Sequence, residues 1–126
     1  KKRADMQNRV ALIEEKNPDL VVSIHQNSFS ASTKGAQVFY HKSSEKGKRL
    51  AGILQQSIKE KADKENHRVE KANASYYMLR KVSCPIVIVE CWFLSNPDEE
   101  RLLNDEKYQK KMVEGIAEGI ENFLYK

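Results

Sequence analysis

The sequence predicts an α/β fold with a mainly parallel, twisted sheet that is flanked by helices on both faces. Segments with the periodicity of amphipathic helices alternate along the chain with short apolar segments that are typical of strands. The run IVIV at residues 86–89 is almost continuously apolar, as expected for a strand that is buried on both faces. With 126 residues, the chain is expected to form one domain, residues 1–126.

The first 40 residues contain a predicted helix and two predicted strands. Apolar residues recur at helical spacing over residues 2–16. Asn17 and Pro18 end this helix, because the residue before a proline is disfavoured in the helical conformation. The β-prone segments 20–24 and 35–40 are predicted to be strands.

The middle of the chain is dominated by one long predicted helix. Ser44 is its predicted N-cap, and apolar residues recur along one side of the segment that follows. The helix is expected to fray into a charged stretch over residues 61–73. Residues 76–79 form a short β-prone segment before the apolar strand.

Helix caps define the last part of the chain. Asn96 is a predicted N-cap with Pro97 at the first helical position, which indicates a short helix that ends near Leu103. A final amphipathic helix is predicted to begin at about Asp105.

Charge and composition exclude several classes of function. The chain has 32% charged and 40% hydrophobic residues, as in folded globular proteins. Its net charge is +4, but 22 basic residues are interleaved with 18 acidic ones, so no nucleic-acid partner is predicted.

No apolar run is long enough to cross a membrane. The chain opens on Lys1 without a methionine or a signal peptide, so we expect any targeting signal to lie upstream.

The two cysteines are predicted to be buried free thiols. Cys84 and Cys91 lie seven positions apart, mostly within one extended segment. An extended chain rises about 3.3 Å per residue, which places the two Cα atoms too far apart for a disulfide.

Two polar side chains lie at the ends of predicted strands. His25 follows the apolar residues 20–24, and Glu90 follows the apolar residues 86–89. If these strands are parallel neighbours, the imidazole and the carboxylate lie over the same edge of the sheet, where α/β proteins bind ligands. Each residue also has a simpler interpretation: a salt bridge for Glu90, and a structural hydrogen bond for His25.

A family resemblance favours the catalytic interpretation. The segments SIHQN at residues 23–27 and VECWFLSNPDEE at residues 89–100 resemble the zinc-dependent N-acetylmuramoyl-L-alanine amidases of bacteria. The similarity continues in the same order through GAQVFY at residues 35–40 and YMLR at residues 77–80. It therefore extends over nearly the whole chain.

The resemblance implies a fold, a cofactor and roles for five residues. The fold is a mostly parallel six-stranded sheet of the phosphorylase/hydrolase-like kind, and the cofactor is Zn²⁺. His25 would be a zinc ligand, and Glu90 would be the catalytic carboxylate that activates water. Asn27 and Arg80 would help to hold substrate. Trp92, where the family usually has glycine, would narrow the cleft or offer a platform for a sugar.

The chain also departs from the family pattern. The family supplies two further zinc ligands, a histidine in a glycine-rich turn and a glutamate on the next helix, and neither motif is present here. The chain is therefore expected to be the carboxyl portion of the catalytic domain, without the first strand and helix. With one of three ligands, this portion alone is expected to bind zinc weakly and to be inactive.

The resemblance implies hydrolysis of the amide bond between N-acetylmuramic acid and L-alanine in peptidoglycan. It places the protein outside the cell or in the cell envelope, with a role in the spore cortex as the nearest match. Two alternatives stay open: a noncatalytic peptidoglycan-binding or regulatory module with the same fold, and another zinc-dependent peptidase. Metal content and the identity of the cleavage product separate these possibilities.

Overall fold

The computed structural model describes residues 2–27, 34–93 and 96–126, with the side chains of Asn27, Trp92 and Phe93 outside the description. The described elements are five helices and four strands. In chain order they are α1 (Lys2–Lys16), β1 (Val21–Asn27), β2 (Gln37–His41), α2 (Glu45–Ala62), β3 (Lys71–Asn73), α3 (Tyr77–Lys81), β4 (Ile86–Phe93), α4 (Pro97–Leu103) and α5 (Glu106–Tyr125).

The four described strands form one mixed sheet in the order β1-β4-β2-β3. Strand β4 pairs with β1 in parallel, and β2 pairs with β3 in parallel, whereas β2 and β4 are antiparallel. The α/β fold with helices on both faces is confirmed. The antiparallel pairing of β2 with β4 is not predicted by the alternation of helices and strands. The described residues contain four of the six strands that the resemblance implies.

One face of the sheet, here called the core face, is covered by α2 and α5. Val87, Val89 and Cys91 of β4 point towards these helices and are fully buried. The helices approach each other closely at Gly119, where an added Cβ would lie 2.6 Å from Leu54 Cδ2. The apolar faces predicted for the two long helices therefore meet on this side of the sheet.

The opposite face, here called the site face, is covered by α1 and α3. Ile86 and Ile88 of β4 pack there with Leu79 of α3 and with the half-buried Val10 and Ile13 of α1. No residue of α1 is fully buried. Helix α1 is also held to the loop after α3, because its Glu14 carboxylate accepts hydrogen bonds from the backbone N–H and hydroxyl of Ser83 at 2.9 and 2.8 Å.

The predicted caps are confirmed. Ser44 Oγ accepts a hydrogen bond from the backbone N–H of Gly47 at 2.9 Å, and Asn96 Oδ1 accepts one from Asp98 N–H at 2.9 Å. Helix α1 ends as predicted at Asn17, which adopts a positive φ of 48° before Pro18. These signals act over a few residues, so they are readable directly from the sequence.

Three predicted elements were wrong in extent or type. Strand β1 continues to Asn27, three residues beyond the predicted end, and the charged stretch ends in the short strand β3. Residues 77–81 form helix α3 in place of a β-prone segment, because the Asn73 side chain accepts hydrogen bonds from the backbone N–H groups of Ser75 and Tyr76 and turns the chain.

Among the described helices, none combines the length and the apolar character that are needed to cross a membrane.

Candidate active site

Glu90 is a buried carboxylate in the central strand. The strand is buried from Ile86 to Cys91, and Glu90 itself is only 5% exposed. It is the fifth of the eight residues of β4, so it precedes the carboxyl end of the strand by three residues. The Tyr76 hydroxyl donates a hydrogen bond to Glu90 Oε1 at 3.1 Å. A charged group in this position is costly to bury, which favours a functional role.

His25 lies beside Glu90 on the neighbouring parallel strand. The Cα atoms of His25 and Glu90 are register partners, and adjacent strands lie about 4.8 Å apart. Paired residues point to the same face of a sheet, so both side chains belong to the site face. The sequence prediction that these strands are parallel neighbours is confirmed.

An irregularity in the pairing follows directly after this pair. The register shifts between His25 and Gln26, so that Gln26 pairs with Trp92 and Cys91 becomes an additional residue on β4. Such bulges redirect side chains, and they are frequent beside active sites. Here the bulge separates the paired His25 and Glu90 from the last residues of the two strands.

A groove of about 370 Å³ lies along the site face beside these residues. Its polar groups include Ser23 and His25 of β1, and Tyr76 lies in its wall. The His25 ring is exposed, and its Nε2 lies 2.8 Å from Ser23 Oγ. The imidazole is therefore accessible from the groove, whereas the Glu90 carboxylate is covered by its surroundings.

Cys91 does not belong to this group of side chains. It follows Glu90 in β4 and faces the core, where burial raises the pKa of its thiol to about 12. A thiol with this pKa stays protonated at neutral pH, whereas metal binding and nucleophilic attack require the thiolate. Cys84 is half-buried, and both cysteines are free.

The described residues do not by themselves fit a three-ligand zinc site. They contain no group of three His, Cys, Asp or Glu side chains placed to hold a metal ion. None of the remaining residues, at positions 1, 28–33, 94 and 95, is a His, Cys, Asp or Glu. A catalytic zinc typically has three protein ligands, so the chain offers His25 as a single candidate ligand beside a carboxylate.

The other three predicted site residues are not brought to this pair by described contacts. Asn27 and Trp92 lie at the ends of β1 and β4, but their side chains are outside the described residues. Arg80 lies elsewhere: it lines a cavity of about 280 Å³ with His41 and Ile86, at the amino end of β4. Its guanidinium also lies 5.7 Å from the centre of the Tyr77 ring.

A larger cavity, about 610 Å³, is lined by none of the predicted site residues. Acidic and basic side chains, including Asp63, Arg68 and Glu99, lie around it together. The Glu99 carboxylate accepts a hydrogen bond from Gly35 N–H at 2.8 Å, which ties α4 to the segment before β2.

Two residues that lie beside Glu90 are not predicted by the sequence patterns. Tyr76 contacts it from the segment before α3, and Gln37 of β2 is its Cα partner on the antiparallel side. Local pattern offers no signal for either, because both meet Glu90 only through the order and direction of the strands.

Comparison with known proteins decides the family. Residues 1–122 match the family described as N-acetylmuramoyl-L-alanine amidase. The chain belongs to this amidase family. The resemblance noted in the sequence is thus confirmed.

Several individual amidases are similar to the chain. The germination-specific N-acetylmuramoyl-L-alanine amidase of Bacillus subtilis is 31% identical over 121 residues, which are 95% of this chain and 51% of that protein. The CwlD amidase from Clostridioides difficile, solved in complex with the GerS lipoprotein, matches with a TM-score of 0.93 and 38% identity. The match covers 98% of this chain and 63% of that one.

The amidase AmiC2 of Nostoc punctiforme has the same fold, with a TM-score of 0.84 and 32% identity over 95% of this chain and 66% of that one. The described strands and helices therefore follow the arrangement found in amidases of different bacteria. The chain spans about half the length of the curated Bacillus subtilis amidase that it matches.

Proposed function

We propose that the protein is a peptidoglycan amidase that hydrolyses the bond between the lactyl group of N-acetylmuramic acid and the L-alanine of the stem peptide. One observation carries this proposal within the amidase family: the buried Glu90 is paired across the sheet with His25. A covered carboxylate beside an accessible imidazole suits acid-base chemistry on a bound amide.

Glu90 acts as the general base and then as the general acid. It takes a proton from the attacking water as the new C–O bond forms at the amide carbon. It then gives this proton to the nitrogen as the C–N bond breaks. The products are a carboxylic acid on the lactyl group and a free amino group on L-alanine.

Zinc is the proposed cofactor, with His25 as one ligand. The family is generally zinc-dependent, and a bound zinc ion would supply Lewis-acid chemistry for the hydrolysis. The other ligands come from outside residues 1–126, which form the carboxyl portion of the catalytic domain. That further ligands are needed is supported by the lack of a three-ligand group among the described residues, and their position elsewhere by the 51% of the Bacillus subtilis relative's length that the chain spans. Asn27, Arg80 and Trp92 remain candidate substrate contacts.

The proposed location is the cell envelope. Within it, the spore cortex is the proposed specific location. The support is the germination-specific function named for the Bacillus subtilis relative and the cell wall amidases named among the staphylococcal relatives.

The substitution Glu90→Gln tests the catalytic proposal in the full-length protein. The amide retains the shape of the side chain but cannot accept the proton, so the release of L-alanine amino termini from purified peptidoglycan should fall about 10²–10⁴-fold. Bound zinc, measured by elemental analysis, should stay near the wild-type value. Glu114→Gln, on the exposed side of α5, is the matched control and should retain activity.

The substitution His25→Gln completes this test. It should lower bound zinc, whereas His67→Gln, at an exposed histidine, should not. A full-length protein that holds no zinc and binds peptidoglycan without cleaving it would favour the noncatalytic module. Cleavage between two amino acids of the stem peptide would indicate a different peptidase. Residues 1–126 alone should bind zinc weakly and release no product.

A further inference from the structure

Tyr76 makes a direct contact with the proposed catalytic carboxylate. Its hydroxyl donates a hydrogen bond to Glu90 Oε1 at 3.1 Å, from a position 14 residues earlier in the chain. A hydrogen bond to one oxygen restricts rotation of the carboxylate about its last side-chain bond. The tyrosine is therefore placed to determine which way the Glu90 oxygens point.

The tyrosine is itself held by contacts that do not involve Glu90. The Asn73 side chain accepts a hydrogen bond from the Tyr76 backbone N–H at 2.9 Å. The Tyr76 ring packs edge-on against Phe39, with 5.6 Å between the ring centres and an interplanar angle of 87°. Phe39 is a half-buried residue of β2 on the site face, so the Tyr76 ring rests on the sheet. A donor anchored in this way costs little further conformational entropy when it orients its partner.

The environment keeps the hydroxyl protonated. Partial burial raises the pKa of Tyr76, and the Glu90 charge and the hydrogen bond raise it further. Tyr76 therefore remains a donor throughout the neutral range. Tyr76 also lines the groove that contains His25.

We propose that Tyr76 is a positioning residue for catalysis, which holds the Glu90 carboxylate in the orientation needed to exchange a proton with water and with the leaving amine. This inference rests on the proposed function of Glu90. It assigns the Tyr76 hydroxyl to the chemical step and not to the binding of peptidoglycan, because its partner is the carboxylate that moves the proton.

Steady-state kinetics of Tyr76→Phe in the full-length protein tests this role. The phenylalanine keeps the ring against Phe39 and removes only the donor. We expect kcat to fall about tenfold while KM stays within about twofold, because the lost hydrogen bond is to a charged group that acts in the transition state. Tyr125→Phe removes the hydroxyl of an exposed residue at the end of α5 and should leave both constants within about twofold.

A kcat equal to that of the wild type would overturn the positioning role, and so would a rise in KM at constant kcat. The melting temperature of Tyr76→Phe should stay close to the wild-type value, since the ring contacts are retained. If the wild type itself cleaves no muramoyl amide, the proposed function fails, and the positioning role fails with it.

A spectroscopic measurement tests the contact without relying on activity. In the full-length protein labelled with ¹³C at tyrosine Cζ, Glu90→Gln should shift the Tyr76 resonance, which is assigned by its loss in Tyr76→Phe. The resonance of Tyr125, an exposed residue at the end of α5, should not move. An unmoved Tyr76 resonance would overturn the proposed contact whatever the kinetics show.

Discussion

The core face and the site face of the sheet use the same strand for different purposes. On the core face, Val87 and Val89 pack against α2 and α5 among fully buried apolar side chains. On the site face, Ile88 packs with residues of α1 and α3, and the alternate residue Glu90 contacts Tyr76 just before α3. Helix α1 contributes no fully buried residue. Successive side chains of a strand point to opposite faces, so one short segment supplies both a core and a polar site.

The difference indicates where the free energy of folding comes from. Close packing on the core face provides most of the apolar burial, and this face tolerates little change in volume. The site face is more loosely covered and keeps a groove beside His25. Burying the Glu90 carboxylate costs free energy of folding. The apolar packing on the other face of the sheet offsets this cost. Three substitutions test this contrast.

The largest effect on stability is expected from Leu54→Ala on the core face. Leu54 of α2 is fully buried against α5, and its truncation leaves a cavity that close-packed neighbours fill only in part. The free energy of unfolding should fall by about 3 kcal/mol in urea denaturation. Leu124→Ala, at an exposed position near the end of α5, should change it far less. A loss below about 1 kcal/mol for Leu54→Ala would contradict the close packing of this face.

An intermediate effect is expected from Gly119→Ala in α5. The new methyl group would lie 2.6 Å from Leu54 Cδ2 and 3.2 Å from Leu54 Cα, so the two helices must separate. Overpacking should lower the free energy of unfolding by about 1–3 kcal/mol, whereas the higher helix propensity of alanine should raise it by about 1 kcal/mol. We therefore expect Gly119→Ala to be destabilising overall.

Gly52→Ala in α2 is the matched control for this substitution. Its nearest contact is the end of the flexible Glu70 side chain, at 3.0 Å, which can move away. The control should therefore be neutral or stabilising by up to about 1 kcal/mol in thermal unfolding. A stabilising Gly119→Ala would show that the helices are not in close contact.

The smallest effect is expected from Ile13→Ala on the site face. Ile13 is half-buried against α3, so its truncation should lower the free energy of unfolding by about 1 kcal/mol. Leu12→Ala, at a neighbouring residue that is 54% exposed, should have almost no effect. Hydrogen exchange should be faster in α1 than in α5, because α1 buries less surface. A cost for Ile13→Ala as large as that of Leu54→Ala would remove the distinction between the two faces.

Much of the site was predictable because its signals are local. The apolar run before Glu90 indicates a doubly buried strand, as found. The apolar run before His25 indicates a second buried strand, but residues 21–26 of β1 are half-buried or exposed, and Ile24 is 57% exposed. Their expected proximity needed only the assumption of parallel pairing, which the register confirms. The roles of these two residues in chemistry remain predictions, as do those of Asn27, Arg80 and Trp92.

The sequence by itself determined the caps at Ser44 and Asn96, the end of α1 and the burial of β4, because these features depend on residues a few positions apart. Tertiary structure decided the antiparallel junction between β2 and β4, the formation of β3, and the contact between Tyr76 and Glu90. These features depend on which distant segments pair and in which direction. Their free energy comes from side chains that meet only in the folded chain, so no local pattern encodes them.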